Sequence, residues 1–168
     1  PLATELLEMF QGISTIGIAP EGKIVQVYPE IENDPALGRD LLADPRRGED
    51  VRRAMETGRL TVTGPHPQYR TGKQVLIGTL PIYLRNAQQG EKFWGFTNAI
   101  IPLSDLVKAS DLDLLIRNGN HYKLFLKNLG KGEPQVIAES SARPLLDPVQ
   151  TEIEVPNNIW ILSVSANS

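Results

Sequence analysis

The sequence predicts an α+β protein built on antiparallel sheet, and three observations carry that expectation. Short apolar stretches alternate with polar residues at period two, around Ile16–Tyr28 and again over Tyr122–Val164, with Gly, Pro and Asn turns between them. Two short helical stripes interrupt the strands between residues 30 and 58. The third observation is the stretch at 54–83, AMETGRLTVTGPHPQYRTGKQVLIGTLPIY. There a helix ends at Gly58, a strand leaves through Leu60 to Thr63, a Gly64-Pro65 turn and a polar loop follow, and a second strand runs from Gln74 to Tyr83. A helix feeding a hairpin with a wide mouth can close over a small molecule.

Composition narrows the function classes. At 168 residues the chain can bury a substantial core in one domain or two small subdomains. A 40% apolar and 22% charged content is that of an ordinary globular protein, and a net charge of −3 gives no basic surplus for nucleic acid. The runs NAIIPL and NIWILSVSA fall far short of the roughly 20 apolar residues that span a bilayer. The first residue is Pro1, not Met, which reads as a piece of something longer. The absence of cysteine removes disulfides, thiolate nucleophiles and Cys-type zinc sites together.

In chain order, Leu2, Leu6, Met9 and Phe10 lie at helical spacing and Gly12 ends that helix. Ile16 and Ile18 alternate, Pro20-Glu21-Gly22 turns, and Lys23 to Tyr28 alternates again. Asp34-Pro35 starts a turn or helix in which Leu37, Leu41 and Leu42 form a short apolar stripe. Asp44-Pro45 reads as a helix start, with Asp as cap and Pro in the first position. Val51, Ala54 and Met55 form the buried face of that helix, and Arg46, Arg47, Arg52 and Arg53 lie outside. After the hairpin, Phe93 to Ile101 reads as a buried strand with Trp94 and Phe96 on one face, and a helix covers Asp105 to Arg117 with Ser110 as a break. Gly130-Lys131-Gly132 and Asn157-Asn158 are turns among four late strands. The order strand-strand-helix-helix-strand-strand-strand over residues 13–101 is that of a PAS-like sensor fold, in which inserted helices cover one face of a five-stranded sheet.

Catalytic patterns fail on inspection. The phosphate-loop pattern would need Gly where Pro67 stands and Ser or Thr at Gln74, and neither G-x-S-x-G nor G-x-G-x-x-G occurs. His66 and His121 are the only histidines, too few for a His-rich metal site. His66 reads as a surface residue of a Pro-rich loop. A hydrolase would have to use Asp40 with His66 in hydrogen-bond reach. Glu152 and Glu154 fall on the outer face of an amphipathic strand. The binding candidates cluster elsewhere. Gly78 and Gly95 sit inside strands and mark either a close backbone approach or a ligand on the sheet. Thr61, Thr63 and Thr79 offer hydroxyls. Tyr69 and Tyr83 flank the mouth of the hairpin. Asp40, in the insert, either accepts hydrogen bonds from a ligand or caps a turn.

The strings IAPEGKIVQVYPE, ALGRDLLADP, RRAMETGRLTVTGP, VLIGTLPIY and FWGFTNAIIPLSDL are similar in content, order and spacing to CHASE domains. The resemblance implies a fold of two PAS-like subdomains behind an N-terminal helix: residues 1–12 as the end of that signalling helix, 13–102 as the membrane-distal ligand-binding subdomain, and 103–168 as a helix plus a smaller membrane-proximal β subdomain. It implies a sensory, non-enzymatic domain in the periplasm, tethered by flanking transmembrane helices, with a histidine kinase or diguanylate cyclase as cytoplasmic output; the alternative is a dimerisation or structural module of such a receptor with no ligand of its own. The expected partners are an unidentified small-molecule ligand and a second copy in a homodimer, with no cofactor and no metal. Plant members bind cytokinins, and by motif alignment Asp40 matches their ring-contacting Asp and Leu60 to Thr63 their contacting strand. The loop HPQYRTGKQ departs from the plant pattern and leaves the ligand open. The expected ligand-binding set is Asp40, Leu60, Val62, Thr63, Tyr69, Gly78, Thr79 and Tyr83.

Overall fold

The structure, a computed structural model, describes residues 2–127 and 133–166. It divides into two compact units that meet in the chain between Pro102 and Leu103. The Gly130-Lys131-Gly132 turn lies outside the described residues.

The first unit opens with helix α1 (Leu2–Met9), followed by strands β1 (Thr15–Pro20) and β2 (Gln26–Tyr28), helix α2 (Gly48–Thr57), and strands β3 (Thr61–Pro67), β4 (Gln74–Asn86) and β5 (Gly90–Pro102). The strands form one antiparallel sheet in the order β2-β1-β5-β4-β3, the PAS-like arrangement that the element order predicts. Paired residues share a face. Gly17 opposite Asn98, Ala19 opposite Phe96, Thr79 opposite Asn98, and Thr63 opposite Ile77 therefore define one face. Residues 29–57 cover it, and Ala19 and Phe96 join Ile24, Val27, Leu41 and Val51 in a single buried cluster. The opposite face carries Ile16, Ile18, Val62 and Gly78, and Tyr28, paired with Ile16, meets α1 through a 2.6 Å hydrogen bond between its hydroxyl and Thr4 Oγ1. Cover on both sides explains why Val75 to Thr79 form a run of buried residues rather than an alternation.

Several local expectations are corrected. The Leu37–Leu42 stripe forms turns instead of a helix, because Gly38 takes a left-handed conformation and Asp40 bridges to Lys23 as an isolated antiparallel pair. Regular helix begins at Gly48 and not at Pro45, although Asp44 does cap the turn before it, with Oδ1 accepting the N–H groups of Arg46 (2.8 Å) and Arg47 (3.1 Å). Gly64-Pro65 is a bulge within β3, not a turn, and the chain reverses at residues 68–73 instead. His66 is thereby on a strand. The bulge in the β4–β5 pairing at Ile82/Tyr83 shifts the parity of β5, so Phe93 rather than Trp94 stacks edge-on against Phe96, at 5.0 Å. The insert also buries Arg47, which helical phasing had placed outside. It precedes the regular helix, so the helical wheel does not set its direction.

The second unit contains helices α3 (Leu103–Ala109) and α4 (Asp113–Arg117), broken by a turn with Asp111 at φ 54°, and strands β6 (Asn120–Leu126), β7 (Val136–Glu139), β8 (Val149–Val155) and β9 (Asn158–Ala166). They form a four-stranded antiparallel sheet in the order β7-β6-β9-β8. Tyr122, Leu124 and Trp160 share a buried face, and α4 packs on β6. His121 sits on β6, its Nδ1 3.3 Å from Ser140 Oγ, and Glu152 on β8 is ion-paired to Lys127.

Gly95 decides how closely β1 and β5 approach. Its φ is +156°, and a Cβ there would lie 2.3 Å from the Ala19 carbonyl oxygen and 2.7 Å from Pro20 Cα. Neither contact can relax without moving backbone. Gly95→Ala is expected to cost about 2–4 kcal/mol in denaturant unfolding, from strain and overpacking together. Gly90→Ala, where a Cβ meets open space, costs about 1 kcal/mol from its left-handed φ alone. Equal midpoints for the two variants would refute the close approach.

Candidate functional site

Between the covered face of the first sheet and the insert lies a cleft of about 510 Å³, its solvent-open mouth included. The sheet forms its floor. Thr15 and Gly17 come from β1, Asn98 and Ile100 from β5, and Val75 from β4. All of these lie at alternate positions of their strands and so point the same way. The insert supplies Asp34, Ala36 and Arg47, and the reversal after β3 supplies Gln68, Tyr69 and Arg70. Ile24 and Val27 complete the apolar wall.

Four polar groups are nearly sealed from solvent here: Thr15 is 4% exposed, and Asp34, Arg47 and Asn98 are each 6% exposed. Their partners differ. Asp34 Oδ1 accepts the Ala36 N–H at 2.9 Å, the turn that Asp34-Pro35 predicts, and Oδ2 lies 3.7 Å from Arg70 Nη1. The Arg47 guanidinium lies over the Tyr69 ring at 4.3 Å, and that of Arg39 over the same ring at 4.0 Å. Neither an ion pair nor a side-chain hydrogen bond engages Arg47 among the described residues. Asn98 Oδ1 is buried with no hydrogen-bond partner.

Asp44 organises this cluster. It accepts the Tyr69 hydroxyl as well as the two insert N–H groups, so the reversal loop and the start of α2 share one anchor. Burial alone would raise the Asp44 carboxyl. The bond from Tyr69, the two N–H groups and the charge of Arg47 outweigh it and hold Asp44 below its ordinary value. The Tyr69 hydroxyl moves up, through burial first and its bond to the carboxylate second. Burial pulls Arg47 down, opposed by Tyr69 and Asp44, and an arginine remains charged regardless.

Of the expected ligand-binding residues, the structure brings only Tyr69 to the cleft lining. Thr63 and Thr79 are buried on the same sheet face, Thr79 directly opposite Asn98. Val62 and Gly78, paired with each other, point to the opposite face, and Leu60 reaches toward Gly78 there while remaining 41% exposed. Tyr83 donates its hydroxyl to the Met55 carbonyl and packs edge-on against Phe93, which anchors α2. Asp40 Oδ1 accepts the N–H groups of Leu42 (2.9 Å) and Ala43 (3.3 Å), so its carboxylate holds a turn. His66 Nε2 is buried without a partner, so Asp40 and His66 are not hydrogen-bonded to each other. Asn98 was legible in principle: it is a polar residue on the core parity of an apolar strand, two from Phe96 and two from Ile100. Arg47 and Asp34 carried no such signal, because loop geometry turns them inward.

His66 lies in the field of this cluster. Burial lowers its affinity for a proton, the Arg47 charge adds to that, and Asp44 opposes it. The unfolded chain therefore binds a proton near pH 6.5 that the folded chain takes up only at lower pH, so stability rises with pH across that window. The melting temperature should fall as pH is lowered from about 7.5 to 5.5, and His66→Gln should flatten that slope. An unchanged slope in the variant would exclude His66 as its source.

Comparison with known proteins agrees with this architecture. Residues 5–136 match the family model for the CHASE domain. No curated protein matches the sequence. Among solved structures, the chain is similar to the ligand-binding domain of the Pseudomonas aeruginosa PAO1 amino acid chemoreceptor PctC in complex with GABA. That match has 17% identity and a TM-score of 0.55, over 90% of this chain and 71% of that one. It is also similar to Methyl-accepting Chemotaxis protein X (14% identity, TM-score 0.60, 99% of this chain and 79% of that one). A third similar structure is the extracellular domain of rpHK1S-Z16, named as a histidine kinase (14% identity, TM-score 0.59, 99% and 76%). At these identities the structures establish a shared fold of sensor-domain type. The family match covers well over half of the sequence, and the chain belongs to the CHASE domain family.

Proposed function

We propose that this chain is the extracytoplasmic sensory domain of a membrane-bound signalling receptor, binding a small molecule in the cleft of its first unit and acting without catalysis of its own. The observation that carries the reading is the cleft: a largely apolar pocket beneath the insert, with a few convergent polar groups, among them Asn98 Oδ1, which is buried with no hydrogen-bond partner. Membership of the CHASE family supports the sensory role, as does the fold shared with chemoreceptor and histidine kinase domains. One of those domains was solved with GABA, a small-molecule ligand. No described helix is long and apolar enough to cross a membrane; in this reading flanking helices tether the domain.

In this reading residues 13–102 form the membrane-distal ligand-binding subdomain, residues 103–168 the membrane-proximal one, and α1 the end of a signalling helix. The receptor works as a homodimer, and its output is a cytoplasmic histidine kinase or diguanylate cyclase. The ligand must favour one arrangement of the signalling helices over another, because equal affinity for both would transmit nothing. The contact of Thr4 with Tyr28 gives that coupling a physical start, since β2 carries both Tyr28 and the cleft residue Val27.

Gly17 offers a direct test. A Cβ there would sit 3.7 Å from the Gln26 carbonyl oxygen and 4.0 Å from Asn98 Cβ, ordinary contacts on a residue without positive φ, and it would project into the cleft. Gly17→Val is therefore expected to fill the cleft while leaving stability unchanged or about 0.5–1 kcal/mol higher. In a thermal-shift screen of amino acids, carboxylates and purines, a ligand at about 100 times its dissociation constant adds about 2.7 kcal/mol, a rise of about 5–10 °C. That rise should vanish in Gly17→Val. A ligand whose shift survives the substitution binds elsewhere, and a library without any shift counts against the sensory reading.

A further inference from the structure

The cleft holds two kinds of unmet demand, one positive and one for a donor. Arg47 supplies the first. Both oxygens of Asp44, the carboxylate whose charge it feels, are already committed, Oδ1 to the N–H groups of Arg46 and Arg47 and Oδ2 to the Tyr69 hydroxyl. The Tyr69 ring covers the face of the guanidinium, but a ring face accepts none of its in-plane N–H groups. Arg39, over the same ring, adds a second positive charge. A sealed cation whose nearby carboxylate is committed elsewhere and makes no direct ion pair with it is costly to bury. A carboxylate would satisfy it with two parallel hydrogen bonds.

The sheet supplies the second demand. Asn98 Oδ1 is buried in the floor of the cleft without a donor. Asp34 is buried beside the same space, ion-paired through Oδ2 to Arg70 Nη1 at 3.7 Å, a separation longer than a hydrogen bond that leaves Oδ2 able to accept an N–H as well. Buried acceptors of this kind call for an N–H group. Ile24, Val27, Val75 and Ile100 wall the remaining space and suit a short apolar body.

Building on the cleft as the ligand site, we infer that its occupant is a small zwitterion of amino-acid type, with a carboxylate held by Arg47 and an ammonium donating to Asn98 Oδ1 and Asp34. A simple carboxylate would leave Asn98 Oδ1 without a donor and would add a second negative charge near Asp34. A simple amine would leave Arg47 without a counter-ion. A neutral ring could meet Asn98 but would keep the arginine charge uncompensated, and a phosphorylated ligand would set its charge against Asp34.

The test is calorimetric titration of the 168-residue domain with the twenty standard L-amino acids and GABA, and then with the deaminated acid and the decarboxylated amine of whichever binds. At least one amino acid should bind, and its acid and amine counterparts should each bind at least tenfold more weakly. Arg47→Met should abolish binding while leaving the melting temperature of the empty domain unchanged or a few degrees higher, because an unpaired buried cation is removed. A purely structural arginine would do the opposite, lowering the melting temperature and sparing affinity. Arg47→Lys, which keeps the charge and loses the fork, should bind about tenfold more weakly, and Asn98→Leu should weaken the amino acid more than its deaminated acid. Wild-type affinity in Arg47→Met, or a purine that saturates the cleft while amino acids stay silent, overturns the zwitterion and leaves the sensory reading standing. Silence of every probe, purines included, overturns both.

Discussion

The cleft exists because one carboxylate ties two segments of chain together. Asp44 caps the turn that leads into α2 and receives the Tyr69 hydroxyl from the reversal between β3 and β4. That reversal would otherwise be a polar loop hanging from a hairpin end. Anchored to the insert, it brings Gln68, Tyr69 and Arg70 over the sheet and closes the cleft on the side away from β2. The same capped turn carries Arg47 inward and fixes its guanidinium over the Tyr69 ring. The hydrogen bonds that hold the carboxylate ionised are thus those that assemble the pocket.

Around this anchor the packing of the first unit is asymmetric. Where Ala19, Phe96, Leu41 and Val51 meet, sheet and insert interlock in one buried apolar cluster. Phe93 and Tyr83 extend that packing edge-on, and Tyr83 closes it by bonding the carbonyl of Met55 on α2. Farther along the same face, the floor changes to Thr15, Gly17 and Asn98, which are small or polar and leave the space unfilled. Adjacent stretches of three strands therefore do different work, one stabilising the insert and the other leaving room beneath it. Polar groups sealed in that space cost stability in the empty protein, a pattern common to sites shaped for a partner.

The second unit solves a smaller problem with less material. Four antiparallel strands have one apolar face, built on Tyr122, Leu124 and Trp160, with α4 packed against β6. Its other face is polar along β8 and at the end of β9, where Ser163 and Ser165 are buried and Gln150 reaches Ser163 Oγ at 3.3 Å. Val149 and Ile153 on the outermost strand stay exposed. Among the described residues it shows no cluster of acceptors or cations comparable to that beneath the insert, and the chemistry of the molecule concentrates in the first unit.

The sequence by itself determined the local order: which stretches alternate, that Asp44 is a cap, where Gly58 ends a helix, and hence the strand succession of a PAS-like sheet. These features depend on near neighbours, whose spacing is written directly in the chain. It also marked Tyr69 as a wall of the mouth. Only the tertiary structure decided which face each strand presents, because single-residue bulges at Gly64-Pro65 and at Ile82/Tyr83 invert parity without any change in composition. Phe93 thereby took the place expected of Trp94, whereas Val62 and Gly78 face away from the cleft by alternation along unbulged stretches, and Asp40 holds a turn. The residues that give the cleft its chemistry, Asp34, Arg47 and Asn98, lie 13 and then 51 positions apart and acquire meaning only when a loop, a capped turn and a central strand converge. Solvent exclusion is a property of that convergence, and it is what makes an otherwise ordinary arginine a charge in need of a partner.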